Sequence, residues 1–174
     1  DGFLAGITGG LRRYHEAFGA EVEDLRIAMP VSLRTTADDP GGNHVTVMRF
    51  LVPVGVEDPD ERIRRLHDIG KRIRAEKSLG HTEAIAGVLN LMPNGVIGTM
   101  LKHVDFLASN VPGIPVPLEL EGQRVLRYFP FGPCAGSSMR VTLMSYAGTC
   151  CIGVNIDTAA VSDPELFVRC LRAG

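Results

Sequence analysis

The chain has 174 residues, 45% of them hydrophobic, so it can bury one sizeable core and a single domain is expected. Eighteen basic and twenty acidic residues leave a formal net charge of −2, which argues against a nucleic-acid partner. Four cysteines without a CxxC pair, and without histidines at ligand spacing, predict neither disulfides nor structural zinc and favour a cytoplasmic location.

The first predicted element is an amphipathic helix, because apolar residues recur at three- and four-residue spacing over residues 3–18. Gly19 supplies its C-terminal stop. Two strands are predicted next, over residues 25–33 and 45–54, with a polar turn cluster between them. We expect these strands to lie in one sheet.

A second helix is predicted over about residues 58–77. Asp58 can cap it, Pro59 suits its first position, and Glu61 stands where the acid of a capping box would. The predicted apolar stripe consists of Ile63, Leu66, Ile69 and Ile73. Most basic residues of the helix fall outside this stripe, which indicates that one face is exposed to solvent.

Residues 84–101 contain no charged residue, which suggests a membrane span, since a span needs about twenty apolar residues. We reject this interpretation, because residues 93–95 (Pro-Asn-Gly) break the run and Asn90 and Thr99 would be costly in lipid. Two buried helices or an interfacial hairpin remain as alternatives.

The last third of the chain is predicted to be mainly strand. The expected strands cover residues 106–109, 124–131, 140–146 and 150–157. Ala147 and Gly148 form a hairpin turn between the last two, and Cys150 and Cys151 should point to opposite faces. A final helix follows Asp163. The elements together predict a mixed α/β (α+β) fold, a mixed sheet flanked by helices.

Residues with catalytic potential are few. None of the five histidines stands in an HxxxD or HExxH arrangement. The Asn110 amide is a better candidate, because Pro112 and Gly113 fit the middle of a type II turn that would fix it at a strand end. A fixed amide can donate to a carbonyl or to a pantetheine amide, although a simple structural turn is the alternative. Ser32 and Arg34 could anchor a carboxylate, a phosphate or a facing domain.

Several motifs resemble the C-terminal domain of the wax ester synthase/diacylglycerol acyltransferase family. They are DGFLAGITGGLRRY (1–14), MPVSLR (29–34), Gly42-Asn43, SNVPG (109–113) and GVNIDTAAVSDPELF (153–167). The resemblance runs from end to end. It implies that residues 1–174 are the C-terminal domain of a chloramphenicol acetyltransferase-like fold with two similar halves. The family's catalytic HHxxxDG motif belongs to the N-terminal half and has no counterpart here.

The resemblance also implies a reaction and its participants. A histidine of the N-terminal half deprotonates the hydroxyl of diacylglycerol or a long-chain alcohol, which attacks the thioester of acyl-CoA; acyl-CoA is a co-substrate and no cofactor stays bound. We expect the N-terminal half as partner, so that this half alone is inactive. The expected location is cytoplasmic, with a peripheral position on the inner membrane or on lipid droplets as an extension.

The implied site residues of this half line the tunnel or support its walls. They are Ser109, Asn110, Val111, Pro112, Gly113, Ser32, Arg34, Asn43 and Asp1, the last as the aspartate of the family's Asn-Asp motif. A non-catalytic lipid- or carrier-binding module of the same fold is one alternative. A structural half of a related transferase that uses another acceptor is another.

Overall fold

The computed structural model of the chain describes residues 1–32, 45–75 and 103–174. The elements in chain order are α1 (Gly2–Ala17), β1 (Asp24–Ser32), β2 (Val45–Pro53), α2 (Pro59–Ala75), β3 (Phe106–Val111), β4 (Glu119–Leu120), β5 (Gln123–Arg124), β6 (Met139–Tyr146), β7 (Thr149–Ile156) and α3 (Pro164–Ala173). The uncharged stretch 84–101 lies outside the described residues. In the part that is described, no helix combines the length and the apolar character that a membrane crossing requires.

Five of the described strands form the main sheet, in the order β2-β1-β3-β6-β7. β1, β3 and β6 run parallel to one another, whereas β2 and β7 pair antiparallel at the two edges. The sheet is therefore mixed, as the sequence predicts. Since the three central strands are parallel, their carboxyl ends meet at one side of the sheet, which we call the carboxyl edge.

The β6–β7 hairpin follows the predicted geometry. Ala147 and Gly148 both have positive φ, 45° and 81°, as a two-residue turn between right-twisted strands requires. Cys151 is buried and Cys150 is exposed, which confirms that the two thiols point to opposite faces. The hairpin thus sets which side chains of β7 face the core.

All three described helices pack on one face of the sheet. The core between them contains Ile27, Phe106, Met139 and Val141 from the strands and Ile7, Leu11, Leu66 and Phe167 from the helices. Side chains alternate between the two faces along a strand, so residues 106, 108 and 110 of β3 point toward the helices. This alternation decides which candidate residues can share a site.

α1 and α3 contact each other closely. A Cβ at Gly10 would lie 2.7 Å from Leu171 Cα, so glycine is required where the helices meet. Nearer the start of α3, the Tyr14 ring packs edge-on against Phe167 at 5.1 Å, and the Tyr14 hydroxyl accepts a hydrogen bond from the Asp163 N–H. These contacts hold the middle and last turns of α1 in a fixed position against α3.

Asp163 caps α3, since its Oδ1 accepts a hydrogen bond from the Leu166 N–H at 2.9 Å. Replacing Asp163 with alanine is expected to lower the free energy of unfolding by about 1 kcal/mol, because this N–H loses its partner. The measurement is urea denaturation, with Ser162→Ala at the preceding exposed position as the matched control. Equal stabilities of the two variants would contradict a capping role.

The buried face of α2 differs from the predicted stripe. Leu66 is buried as expected, but Ile63 is 38% exposed and Arg62 is only 3% exposed. The prediction is therefore wrong at Ile63, because the helix turns the side of Arg62 and Leu66 toward α1 and the sheet. Glu61 pairs with Arg64 and with Arg65, whose hydrogen bond contributes most to lowering the pKa of the Glu61 carboxyl.

Arg62 is accommodated by a glycine on the neighbouring helix. A Cβ at Gly9 would lie 2.5 Å from Nη2 of Arg62, while the Nη1–H of Arg62 donates to the Val56 carbonyl at 2.9 Å. Burial, and after it the positive charges of Arg12 and Arg13, lower the pKa of the Arg62 guanidinium from its ordinary value. α1 and α2 thus meet at a buried arginine rather than at an apolar stripe alone.

Residues 112–138, which we call the connecting segment, lie against the sheet face opposite the helices. Gly153 approaches the Pro130 carbonyl so closely that a Cβ would stand 1.7 Å from its oxygen. The predicted strand over 124–131 is wrong, because only Gln123–Arg124 pairs, in the short β4–β5 hairpin. The apolar residues that suggested a strand lie across the sheet instead of adding to its edge.

Candidate functional site

A cleft of about 400 Å³ opens near the carboxyl edge, on the face that carries the helices. Its walls come from α1, β1, β2, α2 and β3 and are mainly apolar, with Phe3 and Met29 among them. Three polar side chains interrupt this lining, Asp1, Arg74 and Asn110. A mostly apolar cleft with a few convergent polar groups is the usual form of a small-molecule site.

Asn110 reaches the cleft because of its place in β3. It is the next-to-last residue of the strand, is exposed, and points to the helix side. Its register partner on the adjacent strand β6 is Leu143, an apolar residue. The strand fixes the backbone, and the amide can therefore donate a hydrogen bond to a carbonyl bound in the cleft.

Asp1 lies across the cleft from the sheet, at the N-terminus of α1. Its Oδ2 accepts a hydrogen bond from the Nδ1–H of His67 on α2, at 2.7 Å. The side chains are 32% and 47% exposed, so the pair contributes at most about 1 kcal/mol to stability. Its larger effect is to hold the Asp1 carboxylate in one position beside the cleft.

Ser109 does not share this cleft with Asn110. Adjacent residues of a strand point to opposite faces, so the Ser109 side chain lies on the side of the connecting segment. It is 6% exposed and stands in register with Thr142, which is also buried. The two candidates that the sequence placed together are thus separated by the thickness of the sheet.

Gly113 does not form the predicted type II turn. That turn requires positive φ at its third residue, and Gly113 is not among the residues with positive φ. Instead β3 extends to Val111, and the chain continues beside β6, where the Gly113 N–H donates to Ser145 Oγ at 3.1 Å. A Cβ at Gly113 would lie 1.7 Å from the Ser145 carbonyl oxygen, so glycine is needed for close approach.

The structure describes only some of the remaining predicted site residues. Ser32 ends β1 at the carboxyl edge and pairs with Val45, while Pro112 is exposed just beyond β3. Arg34 and Asn43 lie outside the described residues. The structure therefore brings Asp1 and Asn110 into one cleft and leaves the supporting role of the 32–43 region as a prediction.

His67 and Arg74 beside the cleft were not predicted from the sequence as site residues. Both lie on α2, one on either side of Gly70, whose added Cβ would be 3.8 Å from Asp1 Oδ1. The pairing of Asp1 with His67 joins residues 66 positions apart in the chain. No local pattern predicts such a contact, because it depends on how α1 and α2 pack.

A second groove, of about 510 Å³, lies on the other side of the first turns of α1. It is formed by α1, α3 and the strands β6 and β7, and its lining is apolar except for Arg172. Phe3 lines this groove and the first cleft alike. Over residues 1–32, 45–75 and 103–174, no group of three or more His, Cys, Asp or Glu side chains could hold a metal ion.

The model of one protein family matches residues 41–174, and its description is the WS/DGAT C-terminal domain. A protein of Mycobacterium tuberculosis that carries the name diacylglycerol O-acyltransferase is 40% identical over 177 residues, covering 100% of this chain and 36% of that protein. Another of the same name and species is 33% identical, covering 95% and 38%. The chain therefore spans little more than a third of these relatives.

Solved structures with a similar fold have low sequence identity. The wax ester synthase/diacylglycerol acyltransferase from Marinobacter aquaeolei superposes with a TM-score of 0.67 at 20% identity, covering 99% of this chain and 40% of that one. The starter condensation domain of rhizomide synthetase gives 0.51 at 13% identity, covering 99% and 42%. These similarities establish a shared fold, which agrees with the predicted fold class.

Proposed function

The chain belongs to the wax ester synthase/diacylglycerol acyltransferase family, and we propose that it is the C-terminal half of an enzyme that transfers long-chain acyl groups from acyl-CoA to a hydroxyl acceptor. The acceptors are diacylglycerol and long-chain alcohols. The observation that carries the proposal is the match over the whole chain to proteins almost three times its length that are named for this activity. The acyl-CoA is a co-substrate and not a resident cofactor.

The proposed chemistry requires a general base. No two histidines are adjacent in the sequence, so the HHxxxDG motif of the family has no counterpart here. His67 is hydrogen-bonded to Asp1 and half exposed, but it does not line the cleft that contains Asn110, so it is not placed to take a proton from an alcohol bound there. We assign the base to the N-terminal half.

This half contributes fixed polar groups and apolar walls. As the thioester carbonyl is attacked, negative charge develops on its oxygen, and a donor held in place stabilises that charge without reorganisation. The Asn110 amide, at the end of a paired strand, is the group we assign to this role. Asp1, held by His67, faces it from the start of α1 and positions the acceptor or the catalytic residues of the other half.

The connecting segment provides the surface on which the N-terminal half docks. Its exposed large apolar side chains are 36% to 79% exposed: Ile114, Val116, Leu118, Leu120, Leu126, Tyr128, Phe129 and Phe131. Tyr146 anchors the segment, because its hydroxyl accepts from the Leu118 N–H and donates to the Val125 carbonyl, both at 2.8 Å. A clustered apolar surface on an anchored segment is typical of a protein interface.

An assay of the full two-domain protein tests the proposed activity. Purified protein is incubated with palmitoyl-CoA and either diacylglycerol or hexadecanol, and the ester product and free CoA are measured together. The proposal expects ester and CoA in equal amounts with at least one acceptor. Tight binding of acyl-CoA without ester formation would favour the non-catalytic binding module instead.

A further inference from the structure

The last residues of β3 are paired on one side only. On the side of β6 the register runs from Phe106 to Val111, whereas on the side of β1 it covers only Phe106 and Leu107. Within the described strands, Asn110 therefore stands on a strand end that a single neighbour holds. A group that stabilises developing charge needs a fixed backbone beneath it, so the contacts that hold this end affect the cleft.

Pro30 explains why β1 pairs no further along β3. The backbone groups of Arg26 point toward β3, since its N–H donates to Asp105 Oδ2 at 2.6 Å and its carbonyl accepts from the Asp105 N–H at 2.8 Å. Backbone groups alternate in direction along a strand, so those of residue 30 point the same way as those of residue 26. Pro30 has no N–H to donate, and the ladder between β1 and β3 ends before it, at Ala28.

Beyond the end of β3, a serine side chain takes over from the backbone ladder. The Gly113 N–H donates to Ser145 Oγ at 3.1 Å, and the next contact, from the Ala147 N–H to the Ile114 carbonyl, is 2.9 Å long. The absence of a Cβ at Gly113 allows this approach, because a Cβ would lie 1.7 Å from the Ser145 carbonyl oxygen. Ser145 thus binds the backbone three residues after Asn110, on the side where β3 is paired.

We propose that Ser145 is a positioning residue for Asn110. Its hydroxyl holds the chain that follows β3 against β6, and this contact keeps the Asn110 amide directed into the cleft. The inference rests on the proposed role of Asn110 in acyl transfer. Ser145 is not among the described residues that line the cleft, so it acts through the strand and does not touch the substrate. Removing its hydroxyl leaves the walls of the cleft in place and loosens the strand end.

A serine at the other end of the same two strands provides a matched control. The Ser138 hydroxyl, just before β6, donates to the Asp105 carbonyl, just before β3. This contact also joins the two chains through a serine side chain, but it lies at the end of the strands opposite to Asn110. If such contacts contributed only to stability, Ser138→Ala and Ser145→Ala would affect the enzyme alike.

The test compares Ser145→Ala with Ser138→Ala in the full two-domain protein, with and without the further change Asn110→Ala. Rates with palmitoyl-CoA and hexadecanol give kcat and KM, and thermal unfolding verifies that each variant is folded. We expect Ser145→Ala to lower kcat by about 10-fold and to change KM by less than about two-fold, because a displaced donor stabilises the transition state less. Ser138→Ala should keep the kcat of the wild type.

The variants that carry Asn110→Ala distinguish positioning from an independent effect. In that background Ser145→Ala should cause no further loss of kcat, because the amide that it positions is absent. A wild-type kcat in Ser145→Ala, the same loss in both backgrounds, or an equal loss in Ser138→Ala would overturn the inference. Absence of transfer by the wild-type protein, or full activity of Asn110→Ala, would instead contradict the proposed function.

Discussion

Gly113→Ala is expected to lower the free energy of unfolding by about 3 kcal/mol, since it forces an atom into space that is already filled. The added Cβ would stand 1.7 Å from the Ser145 carbonyl oxygen, which is backbone and cannot rotate away. To make room, the chain after β3 must move away from β6. This movement breaks the hydrogen bond from the Gly113 N–H to Ser145 Oγ and disturbs the neighbouring one from the Ala147 N–H to the Ile114 carbonyl.

Guanidinium denaturation of the variant and the wild type measures this loss. Gly2→Ala is the matched control, because a Cβ at Gly2 has no atom within 4 Å and alanine favours a helix, so its stability should stay within about 1 kcal/mol of the wild type or rise. If Gly113→Ala unfolds at the same denaturant concentration as the wild type, the connecting segment is not seated against β6 as described.

Asn110→Ala is expected to reduce kcat/KM for acyl transfer by about 100-fold in the two-domain protein. Removing a fixed donor from the position where negative charge develops has an effect of this size, and most of it should appear in kcat. Stability should change little, because the side chain is exposed and lies in an open cleft. The kinetic loss and the unchanged unfolding midpoint together distinguish a catalytic role from a structural one.

Ser109→Ala separates the two neighbouring residues of the same motif. Its side chain points to the opposite face of the sheet, so we expect its kcat/KM to stay within a few-fold of the wild type. Asn110→Asp keeps the shape but replaces the amide donor with an acceptor, and it should be at least as impaired as Asn110→Ala. Equal losses in Ser109→Ala and Asn110→Ala would contradict the assignment of the amide to the cleft.

Local signals in the sequence predicted the elements that depend on local rules. The stop of α1 at Gly19, the Ala147-Gly148 turn and the start of α3 after Asp163 are each set by a few residues, and all are present in the structure. The mixed sheet followed from the order of these elements, and the resemblance of several short motifs identified the family.

Long-range packing decided the points that the sequence left open or predicted wrongly. A glycine at position 113 can be needed for a positive φ or for the close approach of another atom. The sequence alone does not distinguish these two reasons, whereas the position of the Ser145 carbonyl in the structure shows that the reason is close approach. Residues 124–131 have the composition of a strand. They lie across one face of the sheet, however, where the strands beneath them are already paired with each other. Arg62 is buried because Gly9 on another helix leaves room for it. Such contacts join residues that are far apart in the chain.

The dependence of the site on both halves can be measured directly. Turnover of palmitoyl-CoA with hexadecanol and with diacylglycerol is measured for the 174-residue chain alone, for the N-terminal half alone and for the two expressed together, with circular dichroism to verify folding. We expect ester formation only when both halves are present. Ester formation by the folded 174-residue chain alone would contradict this expectation, because the catalytic base would then lie within these residues.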